Sequence, residues 1–412
     1  MKKSVFFGLI ISLLLCGCSK DDGEKNNPRK EIAVKSAEIE YINKGNAFAM
    51  RLLEETAKRQ SGDFVISPLS AQFCLAMLVN GANGETRQEI LNVLGFGDDD
   101  LRAVNDYYAK LLKELPTLDK KASLSFANGI YLNKDMLFYD SYKETVSNSY
   151  EASVESLDFT DSENLLKTIN SWASEHTGGT IPVLIDKIPD IPFLYASFIL
   201  NAMVFDATWE KKFDSKKTQD ATFTNEDSSK RQVRMMYNDD EYIERKGNTY
   251  HSLELPYGNG AFSFFVLLPS GKNTTSDIIE EIREKEGNIF YDEAPKTIFV
   301  GIPRFSISHL EPFEESFQAL GIVQAFDPEK ANFRGMCEQS TYIKMARQKT
   351  LFEVHETGSK AVTATHVNTG MSTGMPPSFI ADHPFVFLIR EASTGAILLE
   401  GRYGTVHDAT EE

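Results

Sequence analysis

The sequence predicts an α+β fold in a single domain. Three observations predict it: helical apolar spacing concentrated before about Glu175, short runs apolar on both faces after it, and no Pro/Gly/Ser linker or internal repeat between the two. Helices followed by strands, rather than alternating with them, exclude a doubly wound sheet. With 412 residues, 42% hydrophobic and 11% aromatic, the chain has enough apolar material for a large core.

Taken in order, Ile39, Ile42, Ala49, Leu52 and Leu53 recur at helical spacing and predict an amphipathic helix from Ser36 to Lys58. Phe64-Val65-Ile66 reads as a short buried strand. Ser67-Pro68 supplies a cap and a first-turn proline for a nearly all-apolar helix from Leu69 to Val79, which must be central. Thr86 with Glu89 predicts a capping box for a short helix, Arg87 to Leu94, stopped by Gly95. A strand from Leu124 to Leu132 and helices from Tyr142 to Tyr150 and Thr168 to Glu175 follow. Phe198 to Phe205, Ser252 to Pro256, Phe262 to Leu268, Thr297 to Ser306, Phe385 to Arg390 and Ala396 to Glu400 read as strands of packed sheets.

A formal charge of −17 and a pI near 5.0 exclude a nucleic-acid binder, which needs a basic footprint. The seven histidines are scattered, without metal-ligand spacing, so neither metal nor cofactor is expected. Lys2-Lys3 and the apolar run Val5 to Leu15, too short to span a bilayer, have the layout of a secretory signal. The run ends in Leu15-Cys16-Gly17-Cys18, which resembles a bacterial lipobox. That resemblance implies a signal over residues 1–18, a lipid on Cys18, a polar tether over 19–36 and a membrane bond through the anchor alone. Ser19 resembles an outer-membrane address, and Lys20-Asp21-Asp22 a surface-export tag. Of the remaining cysteines, Cys74 lies in an apolar run and Cys337 in a polar loop, so no disulfide framework is expected.

The segment from Glu356 to Ser378 suits both an exposed loop and a strand. Its Gly, Ser, Thr and Asn content and Pro376-Pro377 describe a surface loop of functional length. At period two, however, Ser359, Ala361, Thr363, Thr365, Val367 and Thr369 form one face of small or β-branched residues. No proline interrupts the run before Pro376, so its N–H groups can join a ladder if a slot opens.

Ordered blocks resemble the serpins over about Ala37 to Tyr403, within a domain bounded at 37–408. They are Asp63 to Ser70 leading to Gly81-Ala82-Asn83-Gly84-Glu85-Thr86; Ile169-Asn170-Ser171-Trp172 with Thr177-Gly178-Gly179-Thr180-Ile181; Leu200-Asn201-Ala202 to Trp209; Leu253-Glu254-Leu255-Pro256-Tyr257; Ile302-Pro303-Arg304-Phe305; and Phe379 to Arg390 with Thr394-Gly395-Ala396-Ile397-Leu398. The resemblance implies helices packed on a large central mixed sheet with two further sheets. It also implies a monomer whose exposed loop, about 356–379, is a suicide substrate for a protease. Glu356, Gly358, Ser359, Ala361, Val362, Thr363 and Ala364 match the hinge, and Arg304 the basic partner of Glu356. As an exposed pair these two would contribute only about 0–1 kcal/mol, which suits a gate better than a brace. Ser67, Ser70, Asn201 and Trp209 match the region where the sheet opens. Gln348 departs from the family's usual histidine there and cannot titrate.

Counting forward from the hinge places the cut bond after Ser372, and counting back from Asp382-His383-Pro384 places it after Thr373; Met371 and Gly374 border it. No Lys or Arg lies between Lys360 and Arg390, which disfavours trypsin-like proteases. The segment suits an elastase-like or subtilisin-like serine protease, or a papain-like cysteine protease reading Val367. Two other readings compete. Gly370-Met371-Ser372-Thr373-Gly374 has the form of a nucleophile elbow, but polar residues precede it and Pro376-Pro377 forbid the helix that must follow, so the chain is not read as an enzyme. The alternative from another class is a non-inhibitory relative acting as a cell-surface binding module.

Overall fold

The fold begins with α1 (Ser36–Arg59), whose Phe48, Leu52 and Leu53 are buried and whose Lys58 and Arg59 sit at the negative pole of the helix. After β1 (Phe64–Ile66), the Ser67 Oγ accepts from Ser70 N at 3.2 Å and caps α2 (Pro68–Gly81). Apolar on every side, α2 is buried along almost its whole length. The computed structural model describes residues 27–97, 101–188, 196–359 and 377–405. Next come α3 (Gly84–Leu94), α4 (Leu101–Glu114), β2 (Ala122–Asn133), α5 (Asp140–Tyr150), β3 (Ser153–Leu157) and α6 (Ser162–His176). The strand-rich part holds β4 (Ala196–Thr208), β5 (Gln219–Thr224), β6 (Lys230–Lys246), β7 (Tyr250–Pro256), β8 (Phe262–Pro269), α7 (Thr275–Glu284), β9 (Lys296–Pro303), β10 (Phe305–Pro312) and α8 (Phe313–Leu320). It closes with β11 (Tyr342–Val354), β12 (Gly358–Ser359), β13 (Ser378–Ile380), β14 (Phe385–Glu391) and β15 (Ile397–Tyr403).

A six-stranded sheet runs β10-β11-β4-β2-β3, with β12 added against β4. A nine-stranded sheet runs β1-β15-β14-β8-β7-β6-β9-β13, with β5 also on β6. The long β6 joins what would otherwise be two smaller sheets, because its first part pairs with β5 and β9 and its last four residues with β7. Alternate residues of β4 serve different cores. Ile199, Met203 and Phe205 pack in the main core with α2, whereas Phe198, Leu200, Ala202 and Val204 pack with Leu165, Ile169 and Trp172 of α6. Cover on both faces explains why β4 carries apolar residues on both.

Two local expectations are corrected. Thr86 does not cap α3: the helix starts at Gly84, Thr86 is buried and accepts from Asn332 N, and Glu89 instead accepts from the Val323 and Gln324 N–H groups. The single strand expected from Thr297 to Ser306 is two, because the chain leaves the nine-stranded sheet after Pro303 and enters the six-stranded one at Phe305. Cys337 lies outside the named helices and strands, as expected of a loop residue; it is buried, and Phe138 bridges to its backbone.

Candidate inhibitory site: the loop base and the slot beneath it

Strands β4 and β11 pair in parallel from Ala196 opposite Tyr342 to Val204 opposite Leu351, with one irregularity between Ile343 and Met345. Beyond Val204 they part, and β12 occupies the opening, antiparallel to β4, with Gly358 opposite Thr208 and Ser359 opposite Ala207. The other edge of Ala207 is taken by Ala122 of β2, so β12 lies on the β11 side. A Cβ on Gly358 would stand 1.9 Å from the Ala207 carbonyl oxygen; only glycine permits this approach. Ser359 is fully buried, and its Oγ lies 2.8 Å from the Tyr257 hydroxyl.

Trp209 closes the floor of the opening. Its ring stacks on Tyr257 at 4.3 Å and 11°, its Nε1 donates to the His355 carbonyl at 2.8 Å, and its N–H donates to the Thr357 carbonyl at 2.9 Å. The Glu356 carboxylate lies 3.6 Å from Arg304 Nε and accepts from Thr218 Oγ1 at 2.8 Å. Arg304 is half exposed, as expected, but Glu356 is mostly covered. Burial, and then the Arg304 charge, hold the His355 imidazole below its usual pKa.

Halfway down the closed seam lies a buried polar cluster. Gln348 uses both ends of its amide: Oε1 accepts from Ser67 N at 2.7 Å, while Nε2 donates to Ser67 O and to Asn201 Oδ1, each at 3.1 Å. Asn201 then donates to Asn128 Oδ1 at 2.9 Å, and Asn128 donates to the Tyr150 carbonyl at 2.9 Å. The chain of bonds ties β11, β4 and β2 to the start of α2 and the end of α5. Ser70 adjoins it through the Ser67 Oγ, but its own Oγ is buried without a hydrogen-bond partner among the described residues.

The structure thus gathers Ser67, Ser70, Asn201 and Gln348 at the seam, and Glu356, Gly358, Ser359, Arg304 and Trp209 at its open end. Ala361, Val362, Thr363 and Ala364, with Met371, Ser372, Thr373, Gly374 and Cys18, lie outside the described residues. Asn128, Thr218 and His355 belong to the arrangement but escaped the sequence reading, as did the role of Tyr257, which entered it only within the Leu253–Tyr257 block. Asn128 carried the one usable signal, an amide inside an apolar strand; the others are unremarkable in sequence. On the far side of the loop, β13 runs parallel to β9, and Phe299 N donates to the Pro377 carbonyl at 2.8 Å.

Residues 43–405 match the family described as Serpin (serine protease inhibitor). Human Serpin B8 is 32% identical over 356 residues, covering 84% of this chain and 93% of its own. Intracellular coagulation inhibitor 1 of Tachypleus tridentatus is 30% identical over 374 residues, covering 88% of each. The crystal structure of Serpin48 from the insect Tenebrio molitor superposes with a TM-score of 0.82 at 26% identity, covering 91% of this chain and all of its own. With a closed β4–β11 seam, a loop base poised at its end and a match spanning most of its length, the chain belongs to the serpin family of protease inhibitors.

Proposed function

We propose that the protein traps a serine protease as a covalent acyl-enzyme. The protease serine attacks the carbonyl of the bond after Ser372 or Thr373, and an ester joins it to the amino-terminal part of the loop. The new amine departs on the segment leading to Pro377. The cut loop then fills the slot between β4 and β11. The observation that carries this reading is the seating of Gly358 and Ser359: the first two residues of an inserting strand already hold antiparallel register on β4, above a seam that is still closed. About fourteen inserted residues at roughly 3.3 Å each carry an attached protease some 45 Å, enough to cross the molecule and pull the acyl-enzyme out of shape.

No Lys or Arg lies between Lys360 and Arg390, so the reading extends to an elastase-like target, and the lipobox extends it to an outer-membrane lipoprotein anchored at Cys18. Incubation with pancreatic elastase and with trypsin tests it by SDS gel and intact mass. An SDS-stable complex with elastase, cut after Met371, Ser372 or Thr373, is expected. A complex with trypsin alone would refute the target class, and clean cleavage by every serine protease tried would favour a binding module.

A further inference from the structure

Residues just before α1 are docked on the body rather than free of it. Asn27 donates through Nδ2 to Asp119 Oδ1 at 2.6 Å and accepts from Lys120 N at 3.0 Å through Oδ1. Asn259 Nδ2 donates to the Pro28 carbonyl at 3.3 Å, and Lys30 Nζ to the Thr117 carbonyl at 2.9 Å. Ile32 is buried, with its N–H on Ser393 Oγ at 3.0 Å, and Lys110 Nζ reaches the Ala33 carbonyl. This strap ends at the pole that bears the loop base.

The carboxylate of Asp119 is the junction. Only 2% exposed, it accepts from Asn27, from Lys121 N at 2.7 Å and from Asn259 N at 3.0 Å. Lys121 immediately precedes β2 and its carbonyl accepts from Thr208 N; Gly258 N donates to the Thr208 carbonyl. Thr208 is the residue against which Gly358 is paired, and Tyr257 is the residue that holds Ser359. A Cβ on Gly258 would lie 1.8 Å from Asp119 Oδ2, so the turn and the carboxylate are closely fitted. Strap, β2, the turn between β7 and β8, and the mouth of the slot therefore share one hydrogen-bonded frame.

Opening the slot requires β4, with β2 and β3, to move away from β11. The strap bonds Thr117, Asp119 and Lys120, which lead into β2, and also Asn259 and Ser393 in turns of the nine-stranded sheet, a placement that would oppose that shift. We propose that residues 27–33 are a latch: the groove formed by Thr117–Lys121 and Asn259 is a docking surface whose partner is the chain's own amino-terminal segment, and its occupancy keeps the uncut loop from inserting. This rests on the loop-insertion reading above. An unlatched chain inserts its intact loop spontaneously and loses inhibitory capacity without being cut.

The test compares the full chain with Asn27→Ala and with Asn27→Asp, which sets a carboxylate against Asp119. Each is incubated uncut at 45 °C, in roughly the range where mesophile domains begin to melt, and assayed for conversion to a heat-resistant, non-inhibitory form; the melting temperature is read before and after loop cleavage. The latch predicts conversion about ten-fold faster in both variants, the effect of losing one hydrogen bond to a buried charge. It also predicts a lower melting temperature for uncut protein only. Equal losses in the cut and uncut forms, or unchanged conversion, would overturn the latch and leave loop insertion standing. Wild-type protein that gains no heat stability on cleavage would overturn the insertion reading, and the latch with it.

Discussion

Glu400 is the residue most at odds with its surroundings. It stands opposite Ile66 and Leu388 in the nine-stranded sheet, is fully buried, and both its carboxylate oxygens lack hydrogen-bond partners among the described residues. Burial alone pushes its pKa well above the ordinary 4.5. The folded state therefore holds a proton that the unfolded chain releases above that pH. Stability falls by about 1.4 kcal/mol per pH unit above the ordinary value, until the folded group also ionises. Glu400→Met should remove this slope and stabilise the protein by about 1–3 kcal/mol near pH 8, with a smaller gain at pH 5. Urea midpoints at the two pH values check it; an equal gain at both would contradict the account. The polar seam behaves differently at the same scale. Gln348 is just as buried but satisfied at both ends of its amide, and having no proton to gain it keeps that part of the sheet insensitive to pH.

Among the elements, β12 is the smallest and the most constrained. With Ala207 O where a Cβ would stand, Gly358→Val should prevent the hinge from entering while leaving the distal loop open to cleavage. The race between insertion and release would then be lost: trapped complex relative to cut inhibitor should fall at least about ten-fold on SDS gels, and an unchanged ratio would remove Gly358 from the hinge. The strand beside it shows why sequence reading has limits. β11 is not legible in sequence because its inward face mixes Ala346 and Phe352 with Gln348 and Thr350, which blurs the apolar alternation. By contrast β4 and α2, with apolar residues on all sides, were plain. The reading from Thr297 to Ser306 found the right residues but could not see a change of sheet at Arg304, because both strands share the same local chemistry.

At the scale of the whole molecule, the proposed trap requires that the uncut protein leave a ladder unmade. Strand β4 is antiparallel to β2 on one side and parallel to β11 on the other, and an inserted loop would convert that second seam into two antiparallel ones. Each inserted residue adds net hydrogen-bond and packing stabilisation, so cleavage between Met371 and Gly374 should raise the melting temperature by on the order of 10–20 °C. Differential scanning fluorimetry before and after limited proteolysis measures this. An unchanged melting temperature would identify a binding module instead of a trap.

By itself, the sequence determined the family, the α+β class and most element cores, because these depend on local periodicity, turn chemistry and the order of short blocks along the chain. Only the tertiary structure decided which distant groups meet. Ser67 reaches Gln348 across 281 positions, Thr218 reaches Glu356 across 138, and Asn27 reaches Asp119 across 92. Such contacts leave no periodic trace, since a single polar side chain can be satisfied by any donor or acceptor that the packing of helices and sheets happens to bring within about 3 Å.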